Sequence, residues 1–183
     1  MLEIAIYALI ALAILIGIFV AVVAMQPSAF RIERSATMSA PTEAVFAQVN
    51  DFHNWDGWSP WAHLDPTMKQ TYEGSPSGSG AKYAWVGNKD VGEGRMTIME
   101  NRTNEFIRIN LEFIRPFRAT NTSEFTFKSD GQKTAVTWSM SGTKKFMFKA
   151  MGLFMSMDKM VGKDFEKGLA TMKELVEAKN RTA

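Results

Sequence analysis

Residues 160–177 read MVGKDFEKGLATMKELVE. Met160, Val161, Phe165, Leu169, Met172 and Val176 recur at three- and four-residue intervals, while Lys159, Lys163, Glu166, Lys167, Lys173 and Glu177 hold the other side. That spacing predicts one long amphipathic helix. A lone helix with such a stripe must bury it against another layer, so the preceding residues have to supply one.

They do so by period-two alternation. Ile107, Ile109, Leu111 and Phe113 alternate with Arg108, Asn110 and Glu112, a strand with one wet face. The pattern returns at Tyr83 and Trp85, at Met96 and Ile98, at Phe125 and Phe127, and at Val136, Trp138 and Met140. Met68–Glu73 is a weaker strand. Turn residues at 74–78, 87–90 and 129–131 separate these runs, which implies an antiparallel meander. Pro41–Asp51 opens with a proline suited to a first helical turn and spaces Val45, Phe46 and Val49 on one face. The expected fold class is α+β: a curved antiparallel sheet of about seven strands around the C-terminal helix.

Residues Ile4–Met25 form 22 consecutive positions without a charged side chain. As a helix the run reaches roughly 33 Å, enough for a hydrocarbon core of about 30 Å. A cleaved secretory signal is the alternative, with Val22 and Ala24 as a small-residue site. No Lys or Arg precedes the run, however, and it exceeds the usual signal core, which favours a retained transmembrane helix. The expected division is 1–27 as anchor and 28–183 as one domain. Arg31 and Arg34 follow the span, so the positive-inside rule places that domain on the cytoplasmic side.

The 183 residues carry 21 Lys+Arg against 19 Asp+Glu, and two surplus cations make no nucleic-acid footprint. Cysteine is absent, which removes disulfides, thiol nucleophiles and thiolate metal sites. Nothing points to a metal or a cofactor. Gly78/Gly80 and Gly92/Gly94 lack the wider phosphate-loop fingerprint and read as turns between strands.

Several ordered pieces share a likeness: Ala40-Pro41-Thr42-Glu43-Ala44-Val45-Phe46, then FHNWDGWSPW at 52–61, Asp65-Pro66 and Tyr72-Glu73-Gly74. GAKYAWVG at 80–87 and GEGRM at 92–96 follow. With the terminal helix, this set resembles the SRPBCC superfamily (START-like), in its polyketide cyclase/dehydrase and lipid-transport branch, over roughly residues 30–178. The resemblance implies a helix-grip fold whose cavity, between long helix and sheet, takes lipids, polyketides or other hydrophobic molecules. It brings no shared catalytic motif.

Candidate cavity-lining residues are the inward strand positions Trp85, Ile109, Leu111, Phe113, Phe125, Phe127, Trp138 and Met140, with Phe165 on the helix. Each could equally be filled core. Trp58 and Trp61 either line a cavity mouth or plug the gap beside the short helix. The segment 144–155 mixes three phenylalanines, three methionines and three lysines. It reads as an interfacial element meeting the bilayer through Phe146, Phe148 and Phe154 at the cavity mouth, or as a helix start with solvated lysines. His53 and His63 lie near Asp51, Asp56 and Asp65, an arrangement available for proton transfer but also ordinary at a helix end. The expected function is membrane-anchored, non-covalent binding of a hydrophobic, lipid-like molecule. A cyclase-like enzyme using the same cavity and an interaction module with a closed interior are the alternatives.

Overall fold

The structure, a computed structural model, describes residues 1–182. Helix α1 (Leu2–Met25) is followed by strand β1 (Ala29–Met38), helix α2 (Thr42–Asn50) and a 3-10 turn (Phe52–Gly57). Six strands come next: β2 (Lys69–Gly74), β3 (Ala81–Val86), β4 (Glu93–Arg102), β5 (Phe106–Arg115), β6 (Ala119–Asp130) and β7 (Lys133–Thr143). Helices α3 (Phe146–Gly152) and α4 (Met157–Thr182) close the chain. The sheet order is β1-β7-β6-β5-β4-β3-β2, a meander completed by β1 beside β7. This is the expected α+β helix-grip arrangement, a seven-stranded curved antiparallel sheet with a long C-terminal helix. One element was not foreseen: α3, a short helix where the sequence suggested a loop and the start of α4.

The described residues form two compact units, 1–30 with 143–157, and 31–142 with 158–182. The first is therefore not contiguous, unlike the division at residue 27, because α3 packs on α1. Val23, fully buried, is the one side chain of α1 that is not exposed. Lys149 Nζ donates to the Ala24 carbonyl at 3.3 Å, a cation at a helix C-terminus, and the Lys144 N–H donates to the Ser28 carbonyl at 2.7 Å. With a mean hydropathy of 3.1, α1 is long and apolar enough to cross a membrane.

In the second unit α4 is fastened near both ends. Arg34 points from β1 to the start of α4, where Nε donates to Glu166 at 2.6 Å and Nη1 to Asp158 at 3.0 Å. Its guanidinium lies where a side chain on Gly162 would sit. Farther along, Glu177 accepts the Ser39 N–H at 2.7 Å. Arg31 pairs with Glu33 and Glu124. The two arginines counted toward membrane sidedness are thus strand residues held by carboxylates, and they carry little weight under a rule about loop charges.

In-register rows of inward side chains explain where the core is solid. One row crosses Ile107, Phe125 and Trp138, and the next pairs Phe127 with Val136. Large side chains fill both. Phe46 of α2 meets Phe127 edge-on at 5.3 Å, and Val45, Val49, Leu169, Met172 and Val176 close this end, all buried. Toward the opposite end the rows contain small residues. Ile109–Ser123–Met140 is followed by Leu111–Asn121–Gly142, and Trp85–Gly94–Phe113 lies beyond. On the outer face Arg108 bridges Glu100 and Glu124, and Arg95 pairs with Glu112. These pairs are exposed, so each adds little stability.

Candidate ligand cavity

Beside Ser123, in the first of these rows, the interior is not filled. A partly open cavity of about 270 Å³ lies between the concave face of β2–β7, the 3-10 turn and the first turns of α4. For scale, an engineered apolar void of about 150 Å³ holds benzene. The closed interior weighed from sequence is therefore not what this chain adopts.

Of the residues expected there, Trp61, Trp85, Leu111, Phe113, Trp138, Met140 and Phe165 line the cavity. Trp58, Ile109, Phe125 and Phe127 do not. Their side chains, 4% exposed or less, are consumed in packing. Trp58 also commits its Nε1–H to the Gln48 carbonyl at 3.0 Å, so it is the plug. Trp55 lines the cavity in its place while donating to the Val49 carbonyl at 3.1 Å.

Two indoles set the walls. Trp138 stacks flat on Phe165, centroids 3.9 Å apart at 6°, and donates to Ser123 Oγ at 2.9 Å. Gly168 permits this by leaving Trp138 and Pro60 each 3.1 Å from where a Cβ would be. Trp85 lies across its strand partner Gly94, where any Cβ would collide with the indole, and donates to the Val91 carbonyl at 3.0 Å. Gly94 is therefore not a turn residue but a strand position emptied for a ring. Gly92, with φ of 67°, is the turn residue of that pair.

The polar part of the lining was missed from sequence. Tyr72 and Tyr83 form a wall on β2 and β3, centroids 5.3 Å apart, and Tyr83 continues onto Trp85 at 5.8 Å. Tyr72 Oη donates to Gln70 Oε1 at 3.0 Å. Burial first, then Tyr72 and Asp56 nearby, pushes the Tyr83 phenol up to about 12, so it stays a neutral O–H donor in ordinary solution. Asp56, Asp90 and Asp164 complete the lining, each at least partly exposed. Asp164 was detectable in principle, since it borders the apolar stripe three residues after Val161. Tyr72 lay in a strand too weakly patterned to assign a face.

His53 does pair with Asp51, Nδ1 to Oδ1 at 2.8 Å, and stacks on Tyr72 at 4.1 Å. It lies outside the lining, and His63 does as well. The one buried carboxylate among the described residues is Asp65. Its Oδ1 accepts the Thr67 N–H at 2.9 Å and the Thr67 hydroxyl at 2.8 Å, and Oδ2 accepts the Asn88 N–H at 2.7 Å. Asp65 thereby ties the loop before β2 to the loop carrying Asp90 and Val91. The Thr67 hydroxyl, then the Thr67 and Asn88 backbone N–H groups, hold its carboxyl below the usual range. Its stabilising contribution is present above the unfolded carboxylate value of about 3.9 and fades as pH falls through the lower folded value. Asp65→Asn should thus flatten the fall in unfolding midpoint between about pH 4 and pH 2, followed by circular dichroism. An unchanged slope would remove Asp65 from the acid transition.

Among solved structures, the fold resembles the protein of unknown function SA2116 from Staphylococcus aureus, with 12% identity and a TM-score of 0.63 over 85% of this chain and 98% of that one. Protein CV1439 from Chromobacterium violaceum gives 16% identity and 0.58 over 83% and 99%. TTHA0849 from Thermus thermophilus gives 15% and 0.57 over 81% and 98%. At these identities the likeness is one of fold alone. No curated protein sequence matches. Residues 29–177 match the polyketide cyclase / dehydrase and lipid transport family, and this chain belongs to it.

Proposed function

We propose that this chain is a membrane-anchored carrier: residues 1–27 hold it in a bilayer, and the domain from residue 28 onward binds a hydrophobic, lipid-like molecule non-covalently. The observation that carries the reading is the unfilled, ring-walled cavity of about 270 Å³. A ligand that buries about 300 Å² of apolar surface there gains roughly 7 kcal/mol before the cost of association. Family membership supports a hydrophobic ligand. The aliphatic side chains exposed along α1 support the anchor, since water would oppose leaving so many uncovered. Native mass spectrometry of the full chain, released from detergent in the spectrometer, tests the carrier reading. A small-molecule adduct retained after activation is the expected result. A chain that stays bare after purification and after incubation with extracted membrane lipids would overturn it.

The reading extends to α3. Phe154 is 80% exposed and Phe146 46%, Phe148 is half-buried, and Lys144, Lys145 and Lys149 accompany them. Rings beside lysines suit the headgroup level of an anionic bilayer. Because α3 packs on α1, the anchor keeps this surface near lipid. The chain has no cysteine, so Phe154→Cys accepts a single fluorescent label. In nanodiscs the label should be quenched by spin-labelled lipid, and an unquenched label would remove the contact.

A further inference from the structure

The inference concerns ligand class and rests on the binding function proposed above. Nine of the lining residues are aromatic, and three, Asp56, Asp90 and Asp164, carry carboxylates. Lysine and arginine are absent from that lining among the described residues, although the whole chain has more cations than anions. No ion pair or hydrogen bond engages the carboxylates of Asp56, Asp90 or Asp164 among the described residues. The other ionisable lining groups, Tyr72 and Tyr83, are neutral phenols, and Asp56 acts electrostatically on both.

Ring faces carry negative quadrupole potential, and the Tyr72–Tyr83–Trp85 wall presents three contiguous rings. A cation over such faces is attracted, more strongly where water is excluded. A carboxylate or phosphate head would meet unpaired carboxylates and ring faces with no cation to receive it. The ring wall is an observation separate from the carboxylates, and the two have the same sign.

We infer that the ligand carries a cationic head, an ammonium or amidinium group, on an apolar body, with the rings and aspartates receiving the charge. Three probes of similar size test this on the full chain: phenyltrimethylammonium, benzenesulfonate and neutral benzyl alcohol. Tryptophan fluorescence reports binding, because Trp55, Trp61, Trp85 and Trp138 line the cavity. The ammonium should bind at least tenfold more tightly than the sulfonate. Combined Asp56→Asn, Asp90→Asn and Asp164→Asn substitutions should cut that preference below threefold. If benzyl alcohol binds and the sulfonate equals or exceeds the ammonium, the inference falls and the carrier reading stands. A preference that persists in the triple variant overturns the assignment to these aspartates. If no probe perturbs the fluorescence, the carrier reading falls with it.

Discussion

Replacing Trp138 with alanine lowers the thermal unfolding midpoint of the sheet and α4 by roughly 6–20 °C. Truncating a buried tryptophan costs about 3–5 kcal/mol, and each kcal/mol is worth about 2–4 °C in a domain of this size. Trp138 belongs at the upper end. Its ring is stacked on Phe165 at 3.9 Å and on Phe125 at 5.0 Å, and Trp58 meets it edge-on at 5.5 Å. Removing it would join a new void to the existing cavity and free the Ser123 hydroxyl from its donor. Trp138→Phe restores part of the loss, because a ring still stacks on Phe165 while the N–H and the second fused ring are missing. Circular dichroism of the two variants checks this, and an alanine midpoint within 2 °C of the parent would mean the stack bears little of the fold.

Leu111→Trp should have the opposite character, with little effect on stability and a large one on binding. Leu111 faces the cavity from β5 beside Met96 and Asn121, and its side chain is half-exposed. An indole there enters vacant space, so the usual cost of overpacking largely disappears. The expected result is a midpoint within about 3 °C of the parent, no adduct in native mass spectra, and at least tenfold weaker probe binding. Retained binding with an unchanged midpoint would show that the ligand site lies elsewhere.

The strands and α4 were legible in the sequence because periodicity reports which side chains face inward. Ile107 and Phe113 both obey the alternation, yet one is sealed in core and the other borders a cavity. What separates them is what packs beside them, Phe125 in the same row for the first and the Trp85 indole seated over Gly94 for the second, and register is not written in any single strand. Trp58 and Trp61 illustrate the same limit. Three residues apart, they look alike in sequence, but a carbonyl of α2 captures the N–H of one. Helix α3 was hidden because its first residues carry no capping side chain and its apolar residues surround it with no clear stripe.

The gradation of the strand rows separates two properties that most interiors confound. Folding strength resides where Phe125, Phe127 and α2 meet, whereas the vacant space lies among Ser123, Leu111 and Met140. Substitutions at positions such as Leu111 can therefore reshape that space without eroding the scaffold. A lineage built on this layout could vary the shape of its interior stepwise, each intermediate still folded.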